Sequence, residues 1–386
     1  MSKTLFVYES ESSVSVSTTR EQFKQVPSKW QIVSEFKQLR SLGPHDIDEH
    51  DVVILIRPED ILSLAIARKA RESGAFVITF CDDDLLNLPK DNIRAPWRKS
   101  MLKKALCSSD ALMTSSPHIA EKYAPLTLQK RSFIMDTIVK PEEICELKVH
   151  DNDKVRIVYA AAVSHAEMFN RLVVPALEKL ADQYGDKFSL HFVSVWPDVS
   201  SIQNKVDVTW HPAMPLVEFR QFMMENQFEI GLAPGIDEEF FKCKYYNKFI
   251  EYSCQGTVGV YSNVEPYTYV VRDGENGYLA DNTPEGWYTA IERALLDADG
   301  RAKCLENAVR YIRENHNPEV LFGRYVEALP ELQQYDMERS PCNGFEGSRI
   351  LYRLLRIVEV VWLTFATLKK KGMKTVIAKI KKHFPV

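Results

Sequence analysis

This sequence has few of the signatures that usually name an enzyme. It contains no GxGxxG and no GxxxxGKS/T, which disfavours a nicotinamide Rossmann enzyme and a P-loop nucleotidase. It also lacks HExxH and GxSxG, the marks of a zincin and of an α/β-hydrolase nucleophile elbow. The cysteines (Cys81, Cys107, Cys145, Cys243, Cys254, Cys304 and Cys342) are odd in number and scattered, with no CxxC pair. That excludes a disulfide framework and a zinc ribbon, and it points to a reducing compartment. The opening MSKTLFVYES has no charged segment followed by an apolar core, so the expectation is a cytoplasmic protein rather than a secreted one. There is no internal repeat and no low-complexity tract.

What is present is the composition of a soluble globular chain of 386 residues, 45% hydrophobic and 26% charged, long enough for two domains. The net charge of −4 conceals an asymmetry. Residues 346–386 hold ten Lys/Arg against Glu346 and Glu359, a net +8 that leaves −12 for the rest. A basic tail on an acidic body calls for an anionic partner of the tail alone.

Short apolar runs alternate with helix-like stretches. KTLFVYE, DVVILIRP, AFVITFC and DALMTSS read as strands, with helices over 59–74 and 97–108 between them. The alternation restarts at residue 154 with KVRIVYAAA. RLVVPALEKLADQYG follows as a helix, and KFSLHFVSV, KVDVTWHPA and FEIGLAP as strands. NKFIEYSCQG closes as a helix on Gly256 before the strand TVGVYS. Such alternation implies parallel sheets with helices on both faces. The predicted fold class is α/β, with two Rossmann-like doubly wound domains facing a cleft. Their expected bounds are 1–145 and 150–335, with the polar KPEEICELKVHDND as the joint and a tail over 346–386.

In open parallel sheets ligands bind beyond the carboxyl ends of strands. The candidate residues are therefore those just after the expected strands. In the first half they are Glu9, Ser10, Glu11, Arg57, Asp82, Asp83, Asp84, Ser115, Ser116 and His118. In the second they are Ser164, His165, Asp237, Glu238, Glu239, Ser262, Asn263 and Glu265.

One stretch is specific. Over 228–279 the chain carries Ala233-Pro234, Asp237, Lys244, Lys248, Glu251-Tyr252, Gly256, Ser262, Pro266-Tyr267 and Asp273-Gly274-Glu275-Asn276-Gly277. In spacing and residue type this resembles the sugar-nucleotide-binding half of bacterial GT-B glycosyltransferases of the large family-four group. Weaker resemblance extends over most of 50–330. It implies a metal-independent, retaining hexosyltransferase that needs no cofactor. The enzyme would move a sugar from a nucleotide-diphosphate donor to a lipid-linked glycan acceptor, in the biosynthesis of a bacterial surface polysaccharide, O-antigen or capsule. The first domain would take the acceptor and the second the donor.

The resemblance also distributes roles. Glu251 would accept hydrogen bonds from the ribose hydroxyls. Lys244, Lys248 and Arg171 would meet the charge that develops on the leaving diphosphate, with Ser164 and His165 offering a phosphate seat at a helix start. Asp237 and Glu238 would contact the transferred sugar, and Asn263 and Tyr267 would shape the donor site. Related enzymes often carry two Glu with seven residues between them. Counting back from Glu251, the first of these positions is Cys243, which leaves retention of anomeric configuration open.

Each of these residues also has an ordinary use: Lys248 on a solvated helix face, His165 beside a helix cap, Tyr267 in packing. The run Asp82-Asp83-Asp84 has a rival reading, since metal-dependent GT-A transferases hold a divalent cation on an Asp-rich strand end. In the GT-B reading Asp83 or Asp84 faces the acceptor, or serves as base. A GT-B epimerase and a non-catalytic scaffold remain alternatives.

The tail places apolar residues at 351, 354, 358, 361, 365 and 368, interrupted by Arg353, Arg356 and Glu359. That predicts a basic, amphipathic pair of helices lying on an anionic membrane surface, not a span. The expected location is peripheral, on the inner face of the cell membrane. No nucleic-acid motif accompanies the basic residues.

Overall fold

The computed structural model of the chain describes residues 2–89, 92–147, 153–162 and 165–383. It divides into two units, Met1–Thr137 with Leu321–Val386, and Ile138–Val320.

The first unit is built on β1 (Lys3–Tyr8), β2 (Val33–Gln38), β3 (Val52–Ile56), β4 (Phe76–Cys81), β5 (Ala111–Thr114) and β6 (Arg131–Ile134). All pair in parallel, in the order β2-β1-β3-β4-β5-β6. Strands covered on both faces need apolar residues at every position, and β3 (VVILI) and β4 (FVITFC) are buried throughout. The connection from β1 goes outward to β2 and then crosses to β3. The carboxyl ends of β1 and β3 therefore flank a topological switch.

The second unit repeats the plan with β7 (Val155–Ala160), β8 (Phe188–Val193), β9 (Asp207–His211), β10 (Ile230–Ala233), β11 (Val258–Ser262) and β12 (Tyr278–Ala280). The order is β12-β11-β10-β7-β8-β9, so its switch lies between β7 and β10. Alternate residues of the same strand feed two cores. Ile157, Leu190, Leu232 and Val260 pack with Leu177 and Trp287 on one face. Val158, Val193, Ala233 and Tyr261 pack with Phe249 and Tyr252 on the other.

The fold class expected from sequence is present, two parallel α/β sheets, and three differences in detail have physical causes. β2 and β6 are outer strands whose polar residues hide the strand pattern, with Glu35 and Lys37 on β2 as charged edge residues, and β12, only Tyr278–Ala280, is too short to show one. The single helix expected over 171–185 is two, Ala166–Leu172 and Val174–Tyr184, because Pro175 has no N–H to continue the first and suits the opening turn of the second. The boundary drawn at 335 falls instead after Val320. From there the chain belongs to the first unit: Phe322 meets Phe23 edge-on at 5.4 Å, Tyr325 donates to the Asp136 carbonyl at 2.9 Å, and Arg131 grips Glu331 with both terminal nitrogens at 2.9 Å.

Arg339 ties this returning segment down with bonds to the carbonyls of Ile47, His50 and Ser73. The tail then forms one continuous helix, Glu346–His383, rather than a pair. No proline separates the two expected stretches, and Lys-rich sequence propagates a helix readily.

Candidate functional site

The second unit carries a cleft of about 450 Å³ at the carboxyl ends of three adjacent strands, β10, β7 and β8. It lies across the switch point, where adjoining loops diverge and leave room for a ligand. Its floor is Tyr159 to Ala162 at the end of β7, Val193 and Ser194 at the end of β8, and Leu232 to Pro234 at the end of β10. Phe219, Phe241 and Tyr267 form apolar walls, and His165 and Lys248 supply its ionisable groups.

Two glycines make this packing possible. A Cβ on Gly231 would come within 2.6 Å of the Tyr252 ring, and one on Gly235 within 2.3 Å of the Phe241 ring. Tyr252 uses that space to reach across and donate its hydroxyl to the Leu232 carbonyl at 2.8 Å. The loop after β10 is pinned by Ser262, whose Oγ accepts from the Gly235 amide at 2.8 Å, and by Asn282, which donates to the Gly235 carbonyl at 2.9 Å.

Charge on this side of the cleft is positive. Lys248 lies in the first turn of the helix Asn247–Cys254, where the helix dipole is already positive. A lysine there works against helix stability, which is the usual sign of a position kept for a ligand. Its Nζ is held by Glu251 Oε2 at 2.7 Å and lies 5.5 Å from the Phe219 and Tyr252 ring centroids. Lys244, on the loop before that helix, lies 4.4 Å from the Phe240 ring centroid. His165 precedes the helix Ala166–Leu172. Its pKa is lowered, first by desolvation and then by repulsion from Lys244 and Lys248. All three side chains thus share one electrostatic neighbourhood. Glu251 belongs to it too, because after burial its charge is what raises the Tyr267 phenol.

The structure therefore brings together His165, Lys244, Lys248, Glu251 and Tyr267. Others it places elsewhere. Arg171 is exposed in the last turn of the helix that His165 precedes; six residues at 1.5 Å each carry it about 9 Å along the axis, and it does not line the cleft. Asn263 follows β11, one strand beyond β10, and donates to Asp281 at 3.0 Å in a separate polar depression with Asp273, Thr283 and Arg293. Asp237 and Glu238 are exposed on the loop after β10, with Asp237 paired to Lys242 at 2.8 Å. That loop enters the cleft through Pro234 and Phe241. Ser164 lies outside the described residues. Cys243 is fully buried.

In the first unit the aspartate run divides. Arg57, at the end of β3 with φ of 50°, binds Asp82 through Nε and Asp83 through Nη2 at 2.8 Å, and Ser15 donates to Asp82 at 2.6 Å. Asp84 turns inward and is fully buried. It accepts from the Tyr123 hydroxyl at 2.7 Å, Lys122 at 3.1 Å and Asn87 Nδ2 at 3.1 Å. Burial would raise its pKa, but these donors outweigh burial and hold it below the ordinary carboxylate value. A carboxylate so engaged anchors a turn and is poorly placed to take a proton.

Ser194 was not among the expected residues. It follows β8 directly and adopts φ of 62°, a left-handed conformation that non-glycine residues seldom take and that gathers at ligand sites. Reading KFSLHFVSV as one strand to Val195 placed it inside the strand; the strand ends at Val193.

No protein-family model matches the chain, and no curated protein matches it. Solved structures do. The chain is 14% identical to the lipopolysaccharide outer core galactosyltransferase WaaB, with a TM-score of 0.58 over 85% of this chain and 99% of that one. To Anabaena HepE, solved with UDP and glucose, it is 11% identical with a TM-score of 0.60, covering 86% and 100%. To TarM it is 12% identical with a TM-score of 0.55, over 74% of this chain; it spans 55% of TarM's length. Likeness at such identities is one of architecture, and by that architecture the chain has the GT-B fold of these glycosyltransferases.

Proposed function

We propose that the chain is a glycosyltransferase that takes a sugar from a nucleoside-diphosphate donor and passes it to a hydroxyl of a glycan acceptor. The observation that carries this reading is the meeting of His165 and Lys248 in one cleft at the switch point of a parallel sheet, with Glu251 bonded to Lys248 and Lys244 close enough to lower the His165 pKa. A diphosphate sugar presents the matching features: an anion, a ribose diol and a flat base.

In this reading the diphosphate lies against Lys244, Lys248 and the neutral His165. Glu251 takes the ribose hydroxyls, a step that loosens its bond to Lys248. The apolar walls Phe219, Phe241 and Tyr267 exclude water from the anomeric carbon. The bond between that carbon and the diphosphate oxygen breaks, and the leaving charge is met by the cations. A new glycosidic bond forms to the acceptor oxygen, and the hydroxyl proton passes to a base or to the departing phosphate. Asp237 and Glu238 are the candidate contacts to the transferred sugar, and Asp83 to the acceptor. The relatives support finer terms: HepE was solved with UDP-glucose, and WaaB builds lipopolysaccharide outer core. On that support the reading takes a UDP-hexose as donor and a lipid-linked surface glycan as acceptor, and Cys243 in place of the first Glu leaves the stereochemical outcome to the product analysis.

The test is a transfer assay with UDP-hexoses and a panel of glycolipid acceptors, read as UDP release and product mass in buffer with excess EDTA. Acceptor-dependent UDP release that chelation leaves intact supports the reading. Release that requires a divalent cation, or no release with any donor, contradicts it.

A further inference from the structure

A helix on a protein surface ordinarily hides its apolar stripe and shows its charges. The helix Glu346–His383 does the reverse. Ile350, Leu354, Ile357, Val361 and Phe365 recur at spacings of four, three, four and four, which sets them on one face. That face is exposed: Ile350 by 63%, Ile357 by 64% and Phe365 by 67%, with Leu351 and Val358 exposed along its flank.

The buried side carries polar groups. Glu359 is 3% exposed and is held by Arg98, whose Nη2 lies 3.0 Å from its Oε2, and by Arg356. Arg98 also binds Glu9 at 3.1 Å, and the buried Tyr352 donates to Glu9 at 3.2 Å. Residues 352 and 359 are seven apart, so one face of the helix is clamped to the first unit by an ion cluster. The clamp fixes the rotation of the helix, and that rotation turns the apolar stripe outward.

We infer that this stripe is a docking surface for an anionic lipid bilayer. Continuous apolar exposure of this extent marks an interaction site. The charge beside it selects the occupant. The same helix runs on through residues 369–382, where seven lysines occur with no acidic residue. An apolar face adjoining a lysine-rich stretch fits acyl chains and anionic headgroups together, whereas a second copy packed in parallel would oppose lysine to lysine and one packed antiparallel would leave the lysines without an anionic partner. Among the described residues no helix is long and apolar enough to cross a membrane, so the helix lies on the bilayer. This inference goes beyond the donor-site reading and does not depend on it. The Glu359 clamp makes the helix a fixed keel of the first unit rather than a loose tether.

The test is flotation of the full chain with vesicles of phosphatidylcholine alone and of phosphatidylcholine containing about one-third phosphatidylglycerol. The wild type is expected to float with the anionic vesicles and to remain partly bound at high salt, because the stripe and not charge alone holds it. The exposed pair Ile357→Glu with Val361→Glu should lower binding at least about tenfold, with unchanged circular dichroism. The milder pair Leu354→Gln with Phe365→Gln should lower it in the same direction. Wild-type protein that stays unbound overturns the inference, as does a variant that floats like wild type. Self-association abolished by the same substitutions, with no lipid binding, assigns the stripe to a second copy instead. Thermal stabilisation by UDP is read in parallel and is expected to be the same in all these proteins, so failure here and failure of the donor site are told apart.

Discussion

Lys248 Nζ sits 2.7 Å from Glu251 Oε2, within one turn of the helix Asn247–Cys254. Each is about a quarter exposed, and Lys248 lines a cleft whose other ionisable group, His165, feels the lysine's charge. A pair this exposed contributes little to stability. Its value lies in what a ligand would do to it: a diphosphate competes for the lysine and a ribose for the carboxylate.

Replacing either partner should therefore cost far more in catalysis than in folding. Lys248→Met is expected to lower kcat/KM for the donor about 100-fold, equivalent to about 2.7 kcal/mol of transition-state stabilisation, with a change in Tm of no more than a few degrees. Glu251→Gln should fall by a similar factor, mainly through KM. The double variant should lose less than the sum of the two, because the residues act on one ligand. Steady-state kinetics with each variant checks this.

His165 supplies a pH signature. Its folded pKa lies below the ordinary histidine value, through desolvation and then the two lysines, so it is neutral at pH 7. A bound diphosphate places negative charge beside it and raises that pKa, so binding takes up a proton. Affinity for UDP should strengthen as pH falls from about 8 to about 6, and His165→Ala should flatten the slope. Calorimetry in two buffers of different ionisation enthalpy measures the uptake directly. An unchanged proton count in the variant would reject the placement.

The aspartates of the first unit should separate by phenotype. Asp84→Asn removes the buried charge beside Lys122 and leaves one acceptor oxygen where Tyr123 and Lys122 use two, and should lower stability by about 2 kcal/mol. Asp83→Asn leaves Arg57 bound to Asp82 and should spare Tm while raising KM for the acceptor. Urea melts and acceptor titrations distinguish the two.

Acid should release the C-terminal helix. Burial pushes the Glu359 pKa up, but Arg98 and Arg356 outweigh it, and the net shift is downward. A carboxylate whose folded pKa is depressed stabilises the fold above its unfolded value, near 4.5, and loses that contribution as pH falls through the folded value. Glu359→Gln should thus cost about 2 kcal/mol at pH 7, and the gap to wild type should close as pH drops below about 4. Melts of both proteins across that range test it.

Both sheets were legible in the sequence wherever strands are buried on two faces, because VVILI and FVITFC leave no alternative to a parallel interior. The outer strands β2, β6 and β12 were not, since polar residues erase the pattern on the first two and β12 spans only three residues. Of the residues that the resemblance singled out, His165, Lys248 and Tyr267 line the cleft, and Lys244 and Glu251 do not. Spacing along the chain could not show that Arg171 ends up at the far end of its short helix, or that Asn263 belongs to a neighbouring depression. Nor could it reveal that Asp84 turns inward, or that Glu359 rotates the last helix to show its apolar side. Those outcomes are set by partners far away in sequence: Tyr123 for Asp84, and Arg98 for Glu359.

We propose the cleft beside β7 and β10 as the seat of a nucleoside-diphosphate sugar. Thermal shift of the full chain against a panel of such sugars tests it most directly. One of them, at 100 times its dissociation constant, should stabilise wild type by about 2.7 kcal/mol, and Lys248→Met should abolish most of that shift at the same concentration. A panel that leaves the wild-type Tm unmoved, or a ligand that shifts both proteins equally, would contradict the account.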